Sequence, residues 1–287
     1  MSNTNKKNII LVPVDFSEAT DIAIHSAIEL AKIFKSELIL LNIFEETPVD
    51  EAARKLMQSQ FVYRDIMKRL QSESERINKV ENIKTSFLVK EGNIFDHIGK
   101  AAEEIGAYLM VMGTHGVKGV QHITGSYFGK VIHGTSIPVI VVQKKSNYKP
   151  IKNILLRLDL SKDTKAIENW AIHYAKYFNA NLHLVMMDEF NNFPSLVEEL
   201  TLPEIEASLK QNGITYTLKL LPVNDSDFVK HLLIHANYID ADLIMIEQKK
   251  DMDAFIIGRD EQAIILNQQQ IPVFCINPLL NPSPVIF

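Results

Sequence analysis

The chain repeats itself. When Asp15 is set over Asp159, DFSEATDIAIHSAIELAKIFKSELIL meets DLSKDTKAIENWAIHYAKYFNANLHL, and Asp15, Ser17, Thr20, Ala27, Ile28, Ala31, Lys32, Phe34, Leu38 and Leu40 all find identical partners. Near the end of each copy the spacing shortens from 144 (Asp159 against Asp15) to 134, where IPVIVV from Ile137 matches IPVFCI from Ile271. A duplication on this scale makes the fold of one half the fold of both. The polar, basic run QKKSNYKPIKN, Gln143 to Asn153, contains Pro150 and reads as the junction, giving two domains at 1–147 and 148–287.

Within the first copy, the apolar runs NIILVPVD and SELILLNIF flank a stretch from about Ser17 to Phe34 in which Ile24, Ala27, Ile28, Ala31 and Phe34 recur at helical spacing. A long helix is expected over roughly Val49 to Asn78, with Leu56, Phe61, Ile66 and Leu70 on one apolar face. Then follow IKTSFLVKEG as strand, Ile94 to Ile105 as helix, YLMVMG as strand, Ser126 to His133 as helix and PVIVVQ as strand. Strands alternating with helices specify an α/β fold of two tandem doubly wound domains with mainly parallel sheets. The last strands, IPVIVV and IPVFCI, would be open apolar edges on isolated domains, so the two are expected to pair within the chain as a pseudo-dimer.

Four of the chain's 11 glycines, Gly113, Gly116, Gly119 and Gly125, fall in MGTHGVKGVQHITGS between a strand and a helix. Glycines let backbone approach a ligand closely, and the unpaired N–H groups at the start of the following helix favour phosphate. No glycine here is followed by Lys and then Ser or Thr, and no GxGxxG follows the first strand, so neither a Walker A loop nor a dehydrogenase fingerprint is present.

In these residues the chain resembles the universal stress proteins in their tandem form, over nearly its whole length. VPVDFSE is similar to the family's first-strand signature, and MGTHG followed by GS is similar to its nucleotide loop, G-x2-G-x9-G-[ST]. Here the spacer Val117 to Thr124 is one residue short of that pattern. The resemblance implies an adenine nucleotide alpha hydrolase-like fold that binds ATP, with or without Mg²⁺. It places Pro13, Val14 and Asp15 against the adenosine, Ile43 at the adenine, and Met112, Gly113, His115 and Gly116 along the ribose and phosphates. Gly125, Ser126 and Tyr127 would hold the outer phosphates. Each assignment has a plainer rival: Asp15 can cap the next helix, His115 can be an ordinary loop residue, and Ser126 can be an N-cap.

The second copy departs from this pattern. Gly113 and Gly116 become Glu247 and Lys250, Gly125 and Ser126 become Arg259 and Asp260, and Pro13 becomes Arg157. That substitution pattern reads as a degenerate domain kept for packing, a partner or another ligand.

A formal net charge of -5 with 46% apolar and 23% charged residues describes an ordinary globular chain without a nucleic-acid or membrane footprint. The opening apolar run stops at Pro13 and Asp15, too soon for a secretion signal, and Cys275 is the only cysteine, so the cytoplasm is the expected compartment. Cys275 itself reads as core. His25, His97, His122 and His133 lack metal-ligand spacing. Three functions compete: an ATP-binding stress-response module that hydrolyses slowly or not at all, an ATP hydrolase or nucleotidyl transferase, and a scaffold without nucleotide. No catalytic residue is assigned. The expected partners are an adenine nucleotide and the other domain of the same chain. A higher homo-oligomer, the protein partner and the stress sensed are left open.

Overall fold

A computed structural model describes residues 8–44, 52–114, 126–143, 150–159, 164–188, 196–248 and 258–277. The first half runs β1 (Ile9–Pro13), α1 (Glu18–Phe34), β2 (Glu37–Phe44), α2 (Ala52–Val80), β3 (Thr85–Glu91), α3 (Ile94–Glu104), β4 (Leu109–Thr114), α4 (Ser126–His133), β5 (Val139–Gln143). The second repeats the order as β6 (Asn153–Arg157), α5 (Lys165–Phe178), β7 (Asn181–Met187), α6 (Leu196–Gln211), β8 (Tyr216–Leu221), α7 (Asp225–Tyr238), β9 (Leu243–Glu247), α8 (Arg259–Ile265), β10 (Val273–Ile276).

All ten strands join one sheet in the order β3-β2-β1-β4-β5-β10-β9-β6-β7-β8. Every neighbouring pair is parallel except β5 with β10, where Val273, Phe274 and Cys275 lie opposite Val141, Ile140 and Val139 in antiparallel register. Antiparallel pairing of equivalent strands relates the halves by an approximate two-fold axis. The inner strands are near-continuous apolar runs because helices cover both faces. Helices α1, α2, α5 and α6 pack on one face through a core that includes Ile10, Val12, Leu70, Leu156 and Leu209. On the other face α3, α4, α7 and α8 pack over Leu11, Met110, Val141, Phe228 and Ile264.

Rings fill the seam between α1 and α5. Phe34 lies 4.7 Å from Tyr177, 5.6 Å from Phe178 and 5.8 Å from Tyr174 between ring centroids, and the Tyr177 hydroxyl donates to the Ile33 carbonyl at 2.5 Å. On the opposite face, Gln143 at the end of β5 donates through Nε2 to the carbonyls of Ile265 and Asn267, at 2.9 and 3.1 Å.

Repeat-related details coincide. Helix α1 ends on Lys35 at φ 52° and α5 on its counterpart Asn179 at φ 51°, each capping N–H reaching back to the equivalent carbonyl, Ala31 or Ala175. One expectation needs correction. Phe61, assigned to the apolar face of α2, is 75% exposed, whereas Leu70 is fully buried. The helix is 29 residues long, about 43 Å at the usual rise, so its N-terminal part outreaches the short strands beneath it. Cys275 is buried in core, as its setting in IPVFCI implied, and burial pushes its thiol pKa well up.

Candidate functional site at the carboxyl ends of β1 and β4

Strands β1 and β4 are adjacent and parallel, with Ile10 opposite Leu109 and Leu11 opposite Met110. From their carboxyl ends the chain departs to opposite faces, into α1 from β1 and towards α4 from β4. Such a divergence opens a crevice at the sheet edge where open α/β folds take ligands. Continuing the register two residues brings Pro13 beside Met112. Ile43 stands two places beyond Leu41, the partner of Pro13 on β2.

The loop after β1 is fixed by a chain of hydrogen bonds. Val14 donates its N–H to the Leu41 carbonyl at 2.7 Å, and Asn42 Nδ2 donates to the Val14 carbonyl at 2.7 Å. Phe16 then takes a left-handed conformation, φ 62°, which is costly for a bulky side chain and turns the backbone sharply into α1. Asp15 Oδ1 accepts from the Ser17 N–H at 2.9 Å and from the Thr20 hydroxyl. Ser17 is the N-cap, its Oγ accepting from the Thr20 N–H at 3.3 Å. Partial burial alone would raise the Asp15 pKa, but the bonds from Ser17 and Thr20 outweigh it and hold the carboxyl below its ordinary value. Asp15 is therefore an ionised acceptor at an exposed position, and it helps organise the helix start through the N-cap residue.

At Gly113 the glycine has a cause inside the fold. A Cβ built there would stand 1.9 Å from the Ala19 carbonyl oxygen, so only glycine lets the first turn of α1 lie against the end of β4. Met110 is fully buried, and Met112 is half-buried against the core under α3 and α4. Beside the Asp15 loop, a cleft of about 570 Å³ opens between α1 and α2, lined in part by Val14, Phe16 and Thr20. The Arg69 guanidinium covers the Phe16 ring there at 3.8 Å.

Pro13, Val14, Asp15, Ile43, Met112 and Gly113 thus meet at one edge. His115, Gly116 and Gly125 lie outside the described residues. Ser126 and Tyr127 form the start of α4, with their side chains outside the description. Asn42 was not singled out from sequence. It is buried, clamps Val14, and its Oδ1 is an orphaned acceptor. Its signal was a polar residue at an inward position of the otherwise apolar LILLNIF, Leu38 to Phe44.

In the second half, β9 and β10 repeat the register of β4 and β5, placing Glu247 where Gly113 lies. The Glu247 carboxylate faces the start of α5, accepting from the Ile167 N–H at 3.3 Å. Accordingly α5 begins at Lys165, three residues later than the repeat would start it. Asp260 is half-buried in the first turn of α8.

The sequence profile of the universal stress protein family matches residues 7–143. Universal stress protein MJ0577 of Methanocaldococcus jannaschii is 30% identical over 156 residues, which span 48% of this chain and 96% of that protein. Universal stress protein Sll1654 of Synechocystis sp. is 29% identical over 136 residues, 46% of this chain and 83% of its own. Among solved structures, a universal stress protein from Archaeoglobus fulgidus superposes with a TM-score of 0.76 at 18% identity, over 95% of this chain and 99% of that one, which establishes the shared fold. With one relative matched across almost its entire length and the family's profile lying over the five-stranded half that carries the crevice, the chain belongs to the universal stress protein family.

Proposed function

We propose that residues 1–147 form a domain that binds one ATP per chain at the β1/β4 edge, and that residues 148–287 form a second domain without this site. In this reading the protein is a nucleotide-dependent regulator in the stress response. The observation that carries it is the set of exposed, ionised carboxylate oxygens of Asp15, standing beside Pro13 and Val14 at the crevice where the chain leaves β1 and β4 for opposite faces. Hydroxyl and amino donors of an adenosine match those acceptors. Pro13, Val14, Ile43 and Met112 supply apolar and backbone surface, and His115, Gly116, Gly125, Ser126 and Tyr127 belong to the loop and helix start that would take the phosphates. Mg²⁺, when present, would accompany the phosphates.

Binding is favoured over rapid catalysis by the state of Asp15. A carboxylate held below its ordinary pKa by two donors is a weak general base near neutral pH. The test is to identify the nucleotide that copurifies with the full-length chain and follow its fate with Mg²⁺. ATP retained over hours supports the reading. Turnover at an ordinary enzymatic rate, about 1 s⁻¹ or faster, would replace it with a hydrolase. A protein that neither retains nor takes up adenine nucleotide would end it.

A further inference from the structure

We propose that the second half is closed by its own anion: the Glu261 carboxylate, held by Arg157, fills the crevice that the first half leaves open for a ligand. This inference rests on the reading of the first half as the nucleotide site. Glu261 stands in the first turn of α8 at the repeat position of Tyr127, and Arg157 ends β6 at the repeat position of Pro13. The two join the same pair of places that flank the proposed nucleotide in the first half, across the β6/β9 edge that corresponds to β1/β4.

The geometry is that of a plug. Glu261 is 1% exposed, and Arg157 Nη1 lies 3.5 Å from Glu261 Oε1, a separation that admits no group between them. Among the described residues neither Glu261 oxygen receives a hydrogen bond, so Arg157 is the counter-charge that makes the buried carboxylate tolerable. The guanidinium also lies over the Phe228 ring, 5.4 Å from its centroid. Gly258 completes the arrangement. A Cβ there would stand 2.2 Å from Glu261 Oε2, so the absence of a side chain lets the carboxylate fold back under the chain entering the helix. Gln248, the residue after β9 and on its α7/α8 face by strand alternation, is likewise buried with both side-chain polar atoms without a hydrogen-bond partner.

Removing the carboxylate leaves Arg157 as an uncompensated cation in a space of carboxylate size, with donors suited to phosphate oxygens. The test titrates the full-length chain with inorganic tripolyphosphate by calorimetry at low salt. Glu261→Ala is expected to bind one tripolyphosphate more per chain than the wild type, with a dissociation constant at least about tenfold below any second-site binding of the wild type. In Arg157→Met/Glu261→Ala the added site should vanish. If Glu261→Ala does not fold, judged by near-UV circular dichroism, Glu261→Ser, which also removes the carboxylate and vacates its space, is used with the same expectation. An unchanged stoichiometry in the folded variant, or an added site that survives Arg157→Met, overturns the plug. If the first-half reading fails instead, the wild type starts from zero and the increment still tests the plug.

Discussion

Asp15 is held in its charged form by the residues that begin the next helix, and that arrangement has a pH signature. Because its folded pKa is depressed, it contributes stability above its unfolded value, which disappears as pH falls through the folded one. Asp15→Asn should therefore lower the urea midpoint at pH 7, and the gap from the wild type should close as pH drops below 3.8, the ordinary aspartate value. A gap that widens on acidification would contradict the assignment. At Gly113 the demand is steric: Gly113→Ala places a methyl group against the Ala19 carbonyl and should cost about 1–3 kcal/mol or more by urea unfolding, even without nucleotide. An unchanged midpoint would show that the close approach is not needed. Asp15 and Gly113 were both singled out in the sequence, and a helix-start role for Asp15 was among its readings, but the packing cause of Gly113 was not. The glycine read as room for a ligand also makes room for a helix. Asn42 went unseen because one polar residue in an apolar strand has no spacing to announce it. Glu261 was passed over for its neighbour Asp260, and only the turn of α8 decides which of the two faces inward.

At the scale of elements, α1 and α2 show why some boundaries could be read and others not. The N-cap Ser17 and the apolar period through Phe34 mark both ends of α1, and the repeat marks the C-terminal end twice. Helix α2 keeps an apolar rhythm beyond the sheet that would bury it, so periodicity alone assigned Phe61 to the core. Leu70→Ala should destabilise by about 2–5 kcal/mol, whereas Phe61→Ala should change the unfolding free energy by no more than about 0.5 kcal/mol in urea titrations. A large cost at Phe61 would mean that the exposed part of α2 has a partner in solution.

Across the whole molecule, ten strands form one sheet because the two apolar last strands cover each other. The duplication announced this order, since two copies of a domain with the same bare edge have a ready partner in each other. What duplication could not announce is the difference proposed between the crevices, which rests on side chains that differ between the copies. Cys275 lies in the seam strand, buried, with its thiol pKa raised. A thiol reagent at pH 7 should leave it unmodified in the folded chain and label it stoichiometrically in denaturant; rapid labelling without denaturant would mean that the seam opens.

The central claim is that one crevice binds nucleotide and the other does not. Calorimetric titration of the full-length chain with ATP tests it most directly. One site per chain is expected, abolished by Gly116→Val with Ser126→Ala and retained by Glu247→Ala with Asp260→Ala. Two sites, no site, or a single site lost only on changing Glu247 and Asp260 would contradict it.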